Sequence, residues 1–114
     1  MKILNLTQNT AIAESVKIAS TPLSRMIGLL NRSALDSHEA LIIYHCRSIH
    51  MFFMRFAIDV IFVDRMNRVV GLVEGIKPFH LSPIFFKASY VIELKAGTIR
   101  ETKTRAGDQV RLAD

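Results

Sequence analysis

Ile58-Asp59-Val60-Ile61-Phe62-Val63-Asp64-Arg65-Met66-Asn67-Arg68-Val69-Val70-Gly71-Leu72-Val73-Glu74-Gly75-Ile76 is the stretch on which the fold turns. Two runs rich in Val, Ile and Phe flank the polar tetrad Asp64 to Asn67, and Asn tolerates the positive φ that tight hairpin turns demand. The stretch therefore predicts a β-hairpin, IDVIFVD paired with RVVGLVEGI. Similar β-type segments recur on either side: AESVKIAS, ALIIYH, IHMFFM, SYVIELKAG and DQVRLAD, with Met1 to Gln8 apolar enough for one more. The expected fold is mainly β, a small β-sandwich or partly open barrel of about seven or eight mostly antiparallel strands.

One short N-terminal helix, about 22–30, is expected at TPLSRMIGLLNRS. Thr21 can cap free N–H groups, Pro22 suits the first helical position, and Leu23, Met26, Ile27 and Leu30 fall on one face. Pro78 and Pro83 bracket FHLS, which reads as an irregular loop or sheet edge because proline cannot donate to a ladder. Thr98 to Arg105 is polar and is expected as surface chain. With 114 residues and no Gly/Ser linker or internal repeat, residues 1–114 read as a single domain.

Half of the residues are hydrophobic and 22% are charged, a globular composition. The one cysteine cannot form an internal disulfide, so a cytoplasmic setting is the default. No apolar run reaches the roughly 18 residues of a membrane span, and the first residues do not resemble a leader, which disfavours membrane insertion and export. The formal charge of +5 favours anionic partners. Its basic residues, among them Arg47, Arg65, Arg68 and Lys87, form no dense run, which disfavours nucleic acid.

The hairpin is preceded by CRSIHMFFMRFA, residues 46–57, which carry the only cysteine together with His50 and Arg55. Read as one uninterrupted strand through Val63, both faces are apolar apart from His50, Arg55 and Asp59, so Asp59 is expected to be buried. A buried carboxylate needs a partner. Arg55 lies about 13 Å away along an extended chain, so the chain must bend, or Asp59 must find Arg25 or backbone donors instead. Glu93, inside SYVIELKAG, poses the same problem, and one inter-strand cluster of Arg25, Arg55, Asp59 and Glu93 would answer both.

Other chemistry is less well supported. His45, Cys46, His50, Met51 and Met54 include metal-ligand types, but extended spacing separates Cys46 from His50 too far to share an ion without a sharp turn. No metal or cofactor is expected, and the same spacing weakens a Cys–His nucleophile, leaving Cys46 as a buried apolar residue. His80 and Ser82 could line a pocket mouth with Phe79, Phe85 and Phe86, although aromatics folded onto the core are the simpler expectation. No phosphate loop, nicotinamide or flavin fingerprint is present.

Several motifs in order carry a family resemblance. Arg25-x-x-Gly28-Leu29 with Arg32 and Leu35, then Cys46-x-Ser48-x-His50 with Met54-Arg55-Phe56-x-Ile58-Asp59-Val60-x-Phe62-x-Asp64, then Val91-Ile92-Glu93-Leu94-x-Ala96-Gly97, then Gly107-Asp108-x-Val110, together resemble the domain of unknown function 192 family. The resemblance spans about Ala19 to Leu112 and implies a small, mainly β domain with a short helix near its start. The family has no agreed biochemical function, so no residue role carries over. Met51, Phe53, Ala57 and Asn67 depart from its common pattern.

The resulting expectation is a module that binds a small polar or anionic ligand, with His50, Arg55, Asp59, Glu93 and Arg25 as its polar lining. Two alternatives stand beside it. One is a hydrolase-type enzyme using Asp59 and Glu93 as paired carboxylates. The other is a protein–protein interaction module using edge strands or FHLSPIFF.

Overall fold

The computed structural model describes residues 1–19, 35–52 and 54–114. The helix expected at about 22–30 and Arg25 lie outside these described residues. The hairpin forms as expected: β5 (Ile58–Val63) pairs antiparallel with β6 (Val69–Ile76). Asn67 takes a φ of 62°. Asp64 Oδ1 accepts the amide hydrogens of Met66 and Arg68, each at 2.9 Å, which fixes the turn.

Around the hairpin, β3 (Ser15–Ala19), β4 (Glu39–Tyr44) and β7 (Tyr90–Lys95) complete a five-stranded sheet in the order β3-β4-β7-β5-β6. All its pairings are antiparallel except β3 with β4. A second sheet of three strands joins β2 (Thr10–Ala13), β1 (Lys2–Asn5) and β8 (Val110–Ala113), with β1 central. The protein is thus mainly β, eight strands in two sheets among the described residues, with one short helix there, α1 (Thr98–Thr102).

Strands β5 and β7 are nearly continuous apolar runs because both their faces are covered. On one side, Ala40, Ile42, Ile61, Val63, Ile92 and Leu94 meet Ile3, Ile12, Ala13 and Val110 of the small sheet and Ile99 of α1. On the other side, Leu41, Ile43, Val60, Phe62 and Val91 lie beneath Ile49, Met51, Met54, Ile76 and Ala88. Among the described residues that second cover is built mainly from loops within residues 45–57 and 77–89 and contains no regular strand.

The strand expected at IHMFFM is replaced by this irregular chain, which keeps a single bridge, His50 to Leu81. Its partner segment carries Pro78 and Pro83, which have no N–H to extend a ladder. The two segments are nonetheless tied together by hydrogen bonds from the Met51 amide to the His80 carbonyl, Phe79 to Met51, Ser82 to Ile49 and Phe85 to Arg47, at 2.7–3.0 Å. Ser82, expected at a pocket mouth, is buried, and its hydroxyl accepts the Ile49 amide hydrogen at 2.9 Å.

The chain expected as surface between Thr98 and Arg105 instead contains α1, and Thr98, Ile99, Thr102 and Thr104 are buried. A five-residue helix is too short to show a 3.6-residue period in sequence. Aromatic placement is also split. Phe85 packs on Phe62 with ring centroids 4.4 Å apart and lies over Gly71, whereas Phe79 and Phe86 are exposed.

Asp108, in the turn before β8, ties the small sheet together. Its carboxylate accepts hydrogen bonds from the Asn5 side chain at 3.0 Å, the Arg105 amide at 2.9 Å and the Gln8 side chain. Burial alone would raise its pKa, but these hydrogen bonds and the charge of Arg105 outweigh it and hold the carboxyl below its usual value.

Two outcomes follow for stability. A methyl group at Gly71 would overlap the Phe85 ring, so Gly71→Ala should lower unfolding free energy by about 1–3 kcal/mol in urea titrations. For Asp108, the unfolded chain binds the proton more readily than the folded one. Its contribution is therefore present above the unfolded carboxylate value near 3.9 and is lost as pH falls through the lower folded value. Urea midpoints measured against pH should fall below about pH 4, and Asp108→Asn should lower the neutral plateau and flatten that acid limb relative to the parent.

Candidate functional site

The strand register around Asp59 decides where its side chain points. Directly opposed residues in a sheet share a face, and Asp59 sits opposite Leu94 while Val60 sits opposite Glu93. Asp59 therefore faces the small sheet and α1, and Glu93 faces the loop layer. The two carboxylates lie on opposite sides of the five-stranded sheet, at 1% and 0% exposure. They cannot flank one substrate bond, which overturns the paired-carboxylate hydrolase and the expected common cluster.

Asp59 is satisfied by backbone donors. Oδ1 accepts the Gly75 amide at 2.8 Å, and Oδ2 accepts Gly97 at 3.0 Å and Ile99 at 2.9 Å. Opposite Asp59, the register between β5 and β6 slips, so that Glu74 and Gly75 occupy a β-bulge with Gly75 at φ 60°. That positive φ, easy for glycine, turns the Gly75 N–H toward the carboxylate. Gly97, at φ 100°, is the N-cap of α1 and has no side chain to cap with; Asp59 supplies the missing acceptor from across the sheet.

The remaining sequence-derived residues are dispersed. Arg55 is exposed, and His50 is half-buried in the loop layer, stacked on Phe52 with ring centroids 5.1 Å apart. Cys46, expected in the core, is half-buried, and its thiol donates to the Ser48 carbonyl at 3.0 Å. Among the described residues, no group of three or more His, Cys, Asp or Glu comes together as a metal set would require.

What the structure does gather is a set of cations that look scattered in the sequence. Arg47, Arg65 and Lys87 line one groove of about 440 Å³ with Asp64, Met66, Phe86, Ala88 and Ser89. A second hollow of about 330 Å³ shares Arg47, Ala88 and Ser89 with it and adds His45. The backbone beneath is fixed. Arg65 sits on the hairpin turn, which is anchored by the Tyr90 hydroxyl donating to Asn67 Oδ1 at 2.8 Å and by Gln109 donating to the Met66 carbonyl at 2.9 Å. Burial, then the nearby Tyr44 and Asp64, push the Tyr90 phenol up, so it stays a neutral donor. The carbonyl of Arg47 accepts the Phe85 amide at 2.8 Å, and Lys87 lies in the turn closed by the Ala88 amide on the Phe85 carbonyl.

Sequence reasoning passed over this groove because its residues come from three separate turns. A signal was nevertheless present: neither residues 45–58 nor residues 77–92 contain an Asp or Glu.

If Asp59 is the structural acceptor these distances describe, Asp59→Ala takes the acceptor from three N–H groups, that of Ile99 fully buried and those of Gly75 and Gly97 partly so. It should cost about 3 kcal/mol or more in chemical denaturation, with Asp59→Asn recovering only part of the loss.

Comparison with known proteins is consistent with this fold. A UPF0127 protein of Pyrococcus horikoshii is 32% identical over 112 residues, covering 96% of each chain. Another, from Thermococcus kodakarensis, is 34% identical over 113 residues, covering 95% of this chain and 71% of its own. A crystal structure of a protein of unknown function from Novosphingobium aromaticivorans superposes with a TM-score of 0.83 at 20% identity, over 98% of this chain and 84% of that one. Residues 4–112 match the DUF192 family, described as an uncharacterised ACR. With a matched span of that length and relatives above 30% identity, the chain belongs to the DUF192 family.

Proposed function

We propose that the protein is a binding module for a small anionic ligand, held in the groove lined by Arg47, Arg65 and Lys87. One observation carries this: three cations from separate turns converge on a single concavity of about 440 Å³, within the size range of small-ligand sites. The one lining carboxylate, Asp64, is held to the turn by the amides of Met66 and Arg68 and carries one negative charge against three cations, which leaves the groove net positive. Arginine offers paired donors to a carboxylate or phosphate, and the fixed backbone lowers the cost of ordering the site.

Of the lining expected from sequence, His50 and Arg55 belong to the adjoining loop layer, where the exposed Arg55 extends the positive surface. Glu93 lies beneath that layer, and Asp59 on the far side of the sheet contributes only to the scaffold. Binding is favoured over catalysis because the two buried carboxylates are held apart and sealed from solvent.

Titration with glycerol phosphate and with inorganic pyrophosphate, followed by amide and side-chain NMR shifts, tests this reading. Shifts should localise to Arg47, Arg65, Lys87 and Ser89. Arg47→Ala and Lys87→Ala should each weaken binding about fivefold or more without changing the melting temperature. Affinity unaltered in both variants, or shifts confined to another surface, would refute the assignment.

A further inference from the structure

One wall residue of the groove, and several residues of the loop segment that leads to it, are apolar side chains held outward. Phe86, which lines the groove, is 74% exposed, and Leu81, Phe79 and Ile84 are 67%, 62% and 57% exposed. We propose that the anion taken by the groove is the headgroup of a phospholipid, and that the loop layer is a peripheral contact for an anionic membrane surface. This rests on the assignment of the groove as an anion site and names its ligand class. It concerns surface contact only; among the described residues no helix is long and apolar enough to cross a membrane.

The outward apolar residues follow from one packing constraint. Phe85 is driven inward over Gly71 onto Phe62, so its chain neighbours Ile84 and Phe86 are turned the other way. The backbone carrying them is pinned by the Phe85 amide on the Arg47 carbonyl at 2.8 Å and the Ser82 amide on the Ile49 carbonyl at 3.0 Å. The exposed rings are therefore presented by hydrogen-bonded chain.

Charge complements that presentation. The two segments that build the layer, residues 45–57 and 77–89, carry Arg47, Arg55, Lys77 and Lys87 and no carboxylate. An anionic headgroup can meet the cations while Phe86, Ile84, Leu81 and Phe79 reach the acyl boundary, the division of labour of interfacial membrane binding. A second copy of the same face would set cation against cation. Single-stranded nucleic acid would stack on the rings but leave Leu81 and Ile84 without a matching surface.

The test uses the full chain with vesicles of phosphatidylglycerol and phosphatidylcholine in equal parts, vesicles of phosphatidylcholine alone, glycerol phosphate and poly-L-glutamate. Sedimentation should show partition onto the anionic vesicles at least about tenfold stronger than onto the neutral ones, weakening as salt rises from about 0.1 M to about 0.5 M. A variant carrying both Leu81→Ser and Ile84→Ser, neither of which lines the groove, should lose about tenfold or more of that partition. It should keep the parent's melting temperature and its glycerol phosphate shifts at Arg47 and Lys87.

Glycerol phosphate binding without vesicle partition would overturn the lipid assignment and leave the anion groove standing. Loss of both would remove the two together. Partition unchanged by the double substitution, or poly-L-glutamate binding as tightly and competing with the vesicles, would replace lipid recognition by bulk charge attraction or an acidic protein partner.

Discussion

A carboxylate sealed inside an apolar sheet must have its oxygens satisfied, and the way Asp59 meets that demand organises half of this molecule. Three backbone amides converge on it, one from the bulge in β6 and two from the entrance to α1. Each comes from or beside a glycine in the left-handed region, Gly75 or Gly97. The carboxylate thus fixes the edge hairpin to the five-stranded sheet and seats α1 so that Ile99 closes the core against the small sheet. A buried charge bound in this way is a fastening rather than a reagent, because its lone pairs are directed at groups that do not leave.

The same sheet explains why catalysis by paired carboxylates is unavailable. Side chains alternate across a strand, and the register that places Leu94 beside Asp59 puts Glu93 beside Val60. Bringing the two acids to one face would need a one-residue slip, which would exchange the apolar sets of β7 between two cores each packed around the other set. The groove lined by Arg47, Arg65 and Lys87 borders the loop layer instead. The backbone of that layer is fixed by hydrogen bonds between two irregular segments, and its side chains are cationic and aromatic.

Much of the scaffold was legible in the chain. The hairpin around Asp64–Asn67, the strand in SYVIELKAG that becomes β7, the extra N-terminal strand and the burial of Asp59 all follow from alternation, β-branched content and turn chemistry. Two segments were not. IHMFFM has the composition of a strand, but the segment it would pair with is interrupted by Pro78 and Pro83, and it settles as loop with one bridge. Thr98–Thr102 has the composition of surface chain, yet it forms a helix whose free amides are capped by a residue about forty positions away, a contact that no local pattern announces.

The class of fold, the hairpin, the family and the need of Asp59 for partners can be read along the chain, because they depend on periodicity, composition, motif order and the cost of burying charge. Which partners Asp59 has, that Glu93 faces away from it, and that Arg47, Arg65 and Lys87 share one groove emerge only in the packed fold. Those depend on strand register and on loops meeting in space. Register is a relation between distant segments, and charges scattered along a chain become a site only when turns from different strands are brought to the same edge of the sheet.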